Sequence, residues 1–205
     1  MNDALLMQIT KDAEYARMIG LYYDRHAEYC HQNKFDYWVH SGPVRFSEHP
    51  SWDKFTLASQ AFIMGYQYVV YLDADAYICD PDADLRDACI KPVNMVRWSF
   101  PLSHLQAGVM YFNNADGYAK AVCAHLLEEA KYYLEVEPDL RGWFEQGQIR
   151  ELITHPEAGK RFFELPYEWN WGAHYCPPCA HPIVKAWHGV PEPGRTDEMR
   201  KEFGK

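Results

Sequence analysis

The sequence predicts an α/β domain built on a mainly parallel sheet, and three observations support this. Short apolar runs alternate with helical patterns from the N-terminus onward, in the order strand, helix, strand, helix, strand. The third run, Tyr68–Leu72, is apolar without alternation, which is typical of a central strand covered on both faces. The chain has 205 residues, 48% of them hydrophobic, so it can bury one sizeable core.

The individual elements follow from local patterns in chain order. An apolar run at Ala4–Thr10 predicts the first strand, and a one-sided apolar pattern predicts a helix over Ala13–Asn33. The other predicted strands are Phe35–His40, Tyr68–Leu72, Val93–Trp98, Val109–Phe112 and Ile183–Trp187, and the other predicted helices are Asp53–Met64, Ala115–Tyr133 and Gln146–Ile153. Residues 1–190 are expected to form one domain. The segment 191–205, rich in Pro, Gly and charge, is expected to be a flexible tail.

Charge and composition argue against two classes of partner. Twenty Lys+Arg against 29 Asp+Glu give a net charge of -9, the wrong sign for neutralising nucleic-acid phosphates. No run approaches the ~20 apolar residues of a membrane span, and no basic leader opens the chain. Six cysteines without a secretion signal are expected to be reduced. These features predict a cytoplasmic protein with no membrane span.

A pair of carboxylates follows the most apolar strand. Asp73 and Asp75 stand directly after Leu72, and the carboxyl ends of strands are where ligands bind in open α/β sheets. In extended backbone, residues two apart point to the same side, so both carboxylates can converge on one Mg²⁺ or Mn²⁺ ion. Such an ion keeps open positions for phosphates, which suggests a diphosphate substrate. The alternative is that both aspartates are turn formers or helix caps.

Several further segments, in the same order as in a known enzyme family, accompany this pair. They are ALLMQIT, HPSWDKFTLASQAF, YVVYLDADAYI, LQAGVMYFNN, GWFEQGQIRELI, LPYEWNW and VKAWHGV. With them the chain resembles glycosyltransferases of the GT-A fold, most closely the retaining glycogenin-like enzymes and the Golgi mannan and xyloglucan galactosyl/xylosyltransferases. The resemblance implies transfer of a hexose, from UDP-glucose or UDP-galactose, to a saccharide or glycoprotein acceptor.

The resemblance also implies a set of metal ligands. Asp73 and Asp75 would hold the ion on the donor diphosphate, with Asp75 the firmer ligand and Asp73 shared with the ribose. His188 would be the third ligand, although a lone histidine in such a place can also be a hydrogen-bonded loop residue. Because an imidazole beside two carboxylates favours a borderline ion, Mn²⁺ is expected before Mg²⁺.

Three residues would act close to the reacting carbon by the same resemblance. Lys54 would neutralise a donor phosphate as a point charge, or else be a solvated lysine on a helix face. Glu145 would hold sugar hydroxyls, and Gln146 would stabilise positive charge beneath the sugar ring. The alternative for this pair is an ordinary helix start, where Glu145 is favourable in the first turn.

The donor would contact two further segments. Thr10 and Tyr15 follow the first strand, where GT-A enzymes hold the nucleotide base. Gln106, Ala107 and Gly108 take the place of an Asn-Ala-Gly segment that lines the donor-sugar pocket in the family, and a glycine lets backbone approach a ligand closely.

Two aromatic and cysteine-containing segments keep more than one interpretation. Trp169 and Asn170 offer an aromatic face and an amide to an acceptor sugar, but they are equally suited to the core. Cys176 and Cys179, near His174, have the spacing of half a zinc site or of a redox dithiol, and a structural loop is the third possibility.

Two other functions stay open at the level of the sequence. Haloacid-dehalogenase-like phosphatases also carry an aspartate pair after an apolar strand, and Asp73 would then be the nucleophile. Those enzymes usually have Thr or Val two places after the second aspartate, where this chain has Tyr77. A sugar- or zinc-binding module without turnover is the other alternative.

Overall fold

The computed structural model describes residues 2–42, 50–98, 104–135, 144–172, 175–190 and 194–204. Its strands are β1 (Ala4–Thr10), β2 (Phe35–Ser41), β3 (Tyr68–Leu72), β4 (Ala76–Ile78), β5 (Val93–Trp98), β6 (His104–Asn113), β7 (Phe162–Leu165), β8 (Trp171–Gly172) and β9 (Val184–Ala186). Its helices are α1 (Ala13–Asn33), α2 (Pro50–Ile63), α3 (Tyr118–Glu135), α4 (Phe144–Thr154), α5 (Pro156–Gly159) and α6 (Gly194–Phe203), with short 3₁₀ helices at Leu85–Ala88 and Tyr167–Asn170.

The central sheet has six strands in the order β2-β1-β3-β6-β5-β7. Strand β6 runs antiparallel to both neighbours, and the other five strands share one direction. The predicted mainly parallel α/β sheet is therefore confirmed. A second sheet of three short strands, β4-β9-β8, lies beyond the end of β3. Because β6 is reversed, its first half approaches the carboxyl end of β3, with Val109 opposite Leu72.

Alternate residues of β1 and β3 enter two hydrophobic cores on opposite faces of the sheet. Leu5 and Val69 belong to the core under α2, α3 and α4, whereas Leu6 and Val70 belong to the core on the other face. All four side chains are fully buried. Burial on both faces explains why these strands show no polar alternation in the sequence.

The bounds of β1, α1, β3 and β5 agree with the predicted ones residue for residue. Helix α1 begins where it does because the Asp12 side chain accepts hydrogen bonds from the Glu14 and Tyr15 amides. It ends at Lys34, whose left-handed backbone (φ 58°) turns its own N–H back to the Cys30 carbonyl. Both caps are formed by residues close in sequence, so local patterns were enough to predict where this helix begins and ends.

Residues 194–203, which belong to the segment expected to be a flexible tail, form α6; residues 191–193 lie outside the described part of the chain. Met199 and Phe203, one helical turn apart, are buried, and the Phe203 ring packs against Tyr77 and Tyr22 with centroids 4.7 Å and 5.8 Å away. The segment is rich in Pro, Gly and charged residues, so its composition alone gave no indication that these two apolar side chains are buried.

Two further observations bear on the predicted compartment. All six cysteines are free thiols: Cys30, Cys79, Cys89, Cys123, Cys176 and Cys179. Across the residues that the structure describes, no helix is both long enough and apolar enough to cross a membrane. The cytoplasmic location itself stays a prediction.

A buried polar network lies between α1 and the sheet. His26 is fully buried, and its Nε2 accepts the Ile78 N–H at 3.0 Å. The ring proton must then lie on Nδ1, which is 3.2 Å from Oε1 of Gln8, and the Tyr37 hydroxyl donates to the same oxygen at 2.6 Å. Both ring nitrogens are used by the neutral imidazole, and burial lowers the pKa of His26 from 6.5 to about 3.

We expect His26 to make the protein less stable at mildly acidic pH. Between pH 6.5 and 3 the unfolded chain takes up a proton at this histidine and the folded chain does not, so stability falls as the pH drops below 6.5. Between pH 7 and pH 5 the wild type should lose about 2 kcal/mol more unfolding free energy than His26→Gln. Urea unfolding of both proteins at the two pH values measures this difference. His125→Gln, at a histidine with 43% side-chain exposure, is the control, and parallel pH profiles for all three proteins would contradict the prediction.

Candidate metal and donor-binding site

The backbone of the aspartate pair is held in place from three directions. The Asp73 N–H donates to the Gly108 carbonyl of β6 at 2.7 Å, and the Gln8 amide of β1 lies 3.3 Å from the Asp73 carbonyl. The Tyr22 hydroxyl of α1 donates to the Ala74 carbonyl at 2.7 Å. These bonds fix the turn after β3, so the directions of both carboxylates are set before any ligand binds.

Asp73, Asp75 and His188 come together at this edge of the sheet, as the sequence resemblance implied. One ligand atom from each lies within 4.8 Å of those of the other two. Nδ1 of His188 is 2.9 Å and 3.1 Å from the two oxygens of Asp75, and its Nε2 is 3.8 Å from Oδ2 of Asp73. Within the described ranges this is the one group of three such side chains able to hold a metal ion.

The donor set fits a divalent cation. Nε2 of His188 is buried and has no hydrogen-bond partner among the residues described, so a ring nitrogen is available beside the Asp73 carboxylate. The carboxylate of Asp75 fixes the other ring nitrogen, the arrangement that orients ligating histidines in metal sites. Two carboxylates and one imidazole suit Mn²⁺ well.

Charge in the cluster is balanced by Arg195, a residue that the sequence did not single out. Nη1 of Arg195 lies 2.7 Å from Oδ2 of Asp75. Burial alone would raise the pKa of Asp75, but His188 and Arg195 outweigh it and hold that pKa below its ordinary value. Burial alone would lower the pKa of His188, but Asp75 and Asp73 raise it. His188 and Arg195 therefore keep the buried Asp75 carboxylate in its charged form.

Tyr71 is a second site residue that the sequence analysis missed. Its hydroxyl donates a hydrogen bond to Oδ1 of Asp73. Burial, followed by the negative charge of Asp73, raises the pKa of Tyr71 well above its ordinary value, so the hydroxyl stays a donor. The spacing contained part of the signal, because Tyr71 and Asp73 are two residues apart at the end of β3.

Lys54 and Glu145 form a buried ion pair next to the cluster. Nζ of Lys54 donates to Oε1 of Glu145 at 2.8 Å and to the Ala107 carbonyl at 2.7 Å. The two side chains are 3% and 6% exposed, so Lys54 is not the solvated lysine of the alternative interpretation. The charge of Lys54 is already paired with a carboxylate, and the two hydrogen bonds of Lys54 link α2 to β6 and to α4. A role on the donor phosphate stays a prediction.

A cavity of about 100 Å³ opens between these residues. It is lined by Ile9, Lys11, Tyr15, Ser51, Lys54, Tyr71, Asp73 and Glu145. Four of these were predicted, namely Tyr15, Lys54, Asp73 and Glu145. A larger cavity, about 690 Å³, lies among α3, α4 and α5 but includes none of the predicted site residues. We place the candidate site at the smaller cavity, because the metal cluster and the buried ion pair meet there.

Three other predicted donor and catalytic side chains are not among the residues that line this cavity. Thr10 is buried, and its hydroxyl lies 2.8 Å from the Ser41 hydroxyl and 3.2 Å from the His40 carbonyl. Oε1 of Gln106 accepts the Gly108 N–H at 3.3 Å, which stiffens the segment facing Asp73. Gln146 is half-buried in the first turn of α4, and its Oε1 has no partner in the described part of the chain. Their roles toward a donor stay predictions.

The two predicted acceptor residues differ in burial, since Asn170 lies in the interior and Trp169 is half-buried. Asn170 is fully buried, and its carbonyl accepts the indole N–H of Trp98 at 2.8 Å. The Trp169 carbonyl accepts the Tyr111 hydroxyl at 2.6 Å. Both contacts use backbone carbonyls, and neither polar atom of the Asn170 side chain has a hydrogen-bond partner among the described residues, so the acceptor role stays a prediction.

Cys176 and Cys179 have the features of a structural loop. Both are half-buried, and the Cys176 amide donates to the Gly172 carbonyl at 2.9 Å. Burial raises the pKa of Cys176, which disfavours the reactive thiolate of a redox site. Neither cysteine belongs to a potential metal group in the described ranges, and His174 lies outside them.

Comparison with known proteins identifies the fold. No family model matches the sequence, and no curated protein matches it. Solved structures do match. A glycosyltransferase involved in glycosylation of the major capsid of PBCV-1 has a TM-score of 0.74 at 14% identity, over 97% of this chain and 98% of that one. The glycosyltransferase GlyE of Streptococcus pneumoniae TIGR4 has a TM-score of 0.61 at 13% identity, over 98% of this chain but only 60% of GlyE. Mouse xyloside xylosyltransferase 1 has a TM-score of 0.51 at 12% identity, over 92% of this chain and 99% of that one. The chain thus has the GT-A α/β fold of these glycosyltransferases.

Proposed function

We propose that this chain is a metal-dependent retaining glycosyltransferase. It transfers a hexose from UDP-glucose or UDP-galactose to a saccharide or glycoprotein acceptor, in the cytoplasm. The observation that supports this best is the convergence of Asp73, Asp75 and His188 beyond the end of β3, in a chain whose fold matches glycosyltransferases along nearly its whole length. The capsid-glycosylating neighbour also makes a protein-linked acceptor a reasonable expectation.

Each side chain at the site has its own proposed role. Asp73, Asp75 and His188 would hold Mn²⁺, or Mg²⁺ in its place, which when bound supplies Lewis-acid stabilisation of the leaving diphosphate. Tyr71 keeps Asp73 oriented through its hydroxyl. Lys54 holds the Glu145 carboxylate still, so one oxygen of Glu145 is fixed and the other can accept a hydrogen bond from a sugar hydroxyl.

Retention of configuration is the stereochemical part of the proposal. An inverting transfer needs a base opposite the leaving group, yet Glu145 is paired with Lys54 and Gln146 is a neutral amide. In a same-face transfer the bond from the anomeric carbon to the diphosphate oxygen breaks. The bond to the acceptor oxygen forms on that face, and the departing phosphate oxygen takes the acceptor proton. Gln146 then has only to tolerate positive charge on the sugar, which its carbonyl oxygen does.

The direct test combines binding and product analysis. In calorimetry, UDP should bind at least about tenfold more weakly after a chelator removes divalent ions, because the diphosphate then faces the Asp73 and Asp75 carboxylates with no cation between them. With Mn²⁺ present, proton NMR of the first product from UDP-glucose or UDP-galactose should show the α configuration of the donor.

Other outcomes of this test separate the alternatives. If the chelator leaves the affinity for UDP unchanged, the metal site is rejected. A β-linked product would reject retention of the anomeric configuration. A phosphoryl group trapped on Asp73 would favour the phosphatase, while metal-dependent UDP binding with neither transfer nor donor hydrolysis would favour a binding module.

A further inference from the structure

Arg195, the second residue of α6, joins the two segments that carry the metal ligands. Its Nη1 donates to Oδ2 of Asp75 at 2.7 Å, and its Nε donates to the Val190 carbonyl at 2.9 Å. Val190 closes the turn that contains His188, since its N–H donates to the Trp187 carbonyl at 3.2 Å. One guanidinium therefore holds the Asp75 side chain and the His188 turn at the same time.

Helix α6 itself is anchored on the domain. The Thr196 hydroxyl donates to the Glu14 carboxylate of α1, and Met199 and Phe203 are buried beneath the helix. The Phe203 ring meets Tyr77 edge to face, with centroids 4.7 Å apart. Arg195 thus reaches the cluster from a fixed support, and its own side chain is only 19% exposed.

The contacts form a chain that ends at the metal position. Arg195 binds one oxygen of Asp75, and Asp75 in turn holds Nδ1 of His188. With Nδ1 fixed, Nε2 of His188 faces Asp73. Outer partners of this kind set the ring orientation of a ligating histidine, and their loss commonly lowers metal affinity by about 10- to 100-fold.

We propose that Arg195 is a positioning residue for Asp75 and His188, and that α6 is consequently part of the catalytic unit. The proposal rests on the proposed function, because the divalent ion is the ligand that these residues would hold. The planar guanidinium presents Nε and Nη1 in a rigid fork, so it makes both bonds at once. A lysine is a single point charge on a flexible stem and can replace only one of them.

The test compares variants of one helix in the full-length protein. Arg195→Met removes both bonds, and Arg195→Lys keeps the charge. Arg200→Met is the matched control, because it deletes the same charge from an exposed pair with Asp197 on the same helix. Titration of Mn²⁺ in the presence of UDP, followed by electron paramagnetic resonance of the free ion, gives the metal affinity. We expect about 10- to 100-fold weaker Mn²⁺ binding for Arg195→Met, an intermediate loss for Arg195→Lys and no change for Arg200→Met.

A second measurement does not depend on any ion. Amide hydrogen exchange at Trp187 and Val190 in the metal-free protein should be faster in Arg195→Met than in Arg200→Met, because the turn loses its outer support. If the wild type binds no Mn²⁺, the proposed metal dependence is wrong, and exchange alone then decides the positioning role. The inference is overturned if the Trp187 and Val190 amides exchange equally fast in Arg195→Met and Arg200→Met. It is also overturned if the wild type binds Mn²⁺ and Arg195→Met binds it with the same affinity. Should Arg195→Met fail to fold, Arg195→Lys is judged by the same two measurements against the same control.

Discussion

Gly108→Ala is expected to abolish metal-dependent UDP binding while the protein stays folded. A Cβ atom at this position of β6 would collide with Nε2 of His188 and lie 2.7 Å from Oδ2 of Asp73. Both are ligand atoms of the proposed site, so the methyl group would push them out of their common geometry. We expect the affinity for UDP in the presence of Mn²⁺ to fall by at least about 100-fold, roughly 2.7 kcal/mol. Calorimetric titration measures the loss.

Gly20→Ala is the matched control for this substitution. Gly20 lies inside α1, and an added Cβ would meet no atom within 4 Å. Alanine there should leave UDP binding unchanged and add about 0.5 to 1 kcal/mol of stability, because glycine is a poor residue in a helix interior. A Gly108→Ala protein that binds UDP as the wild type does would falsify the assignment of Asp73 and His188 as metal ligands.

Lys54→Met is expected to destabilise the protein by about 3 to 5 kcal/mol. The substitution leaves Glu145 as a buried carboxylate without its partner, and an uncompensated buried charge is costly. The double variant Lys54→Met/Glu145→Gln should recover most of this loss, since the remaining amide is neutral. Chemical denaturation of the wild type, both single variants and the double variant gives the coupling free energy.

Lys160→Met provides the surface comparison for that cycle. Its partner Glu157 is 2.6 Å away, but the two side chains are 68% and 76% exposed. An exposed pair of this kind contributes less than about 1 kcal/mol. If Lys54→Met costs no more than Lys160→Met, the Lys54 charge is not needed by Glu145 and becomes available to a donor phosphate, as the sequence resemblance implied.

Local patterns predicted the parts of the fold that depend on neighbours in sequence. The unbroken apolar run Tyr68–Leu72 predicted a strand buried on both faces, and β3 is one. The spacing of Asp73 and Asp75 in extended backbone predicted that both carboxylates face one point. Both belong to the cluster, but the backbone turns between them, with the Ala76 N–H donating to the Asp73 carbonyl at 2.9 Å. His188 was different, because only the family resemblance connected it to this pair.

Contacts between distant parts of the chain could not be predicted in this way. Lys54 and Glu145 are 91 residues apart, and Asp75 and Arg195 are 120 residues apart. No local period joins such positions, so the sequence predicted neither the pairing of Lys54 with Glu145 nor the contact of Arg195 with Asp75. The short strands β4 and β8 were missed for the same reason, since their pairing with β9 defines them, whereas β9 itself lies within the predicted strand Ile183–Trp187.

The distribution of the ligands along the chain has a consequence for biosynthesis. All six strands of the central sheet have left the ribosome once Leu165 has emerged, but His188 stands 113 residues after Asp75 and has not. A nascent chain at that stage has the whole central sheet but still lacks Val184, Ala186, Met199 and Phe203 from its cores, and it presents two carboxylates with neither imidazole nor guanidinium beside them. Translation therefore finishes the scaffold first and the cation-binding corner last. A chain truncated after Leu165 would carry the Asp73 and Asp75 carboxylates without the His188 and Arg195 side chains that contact Asp75.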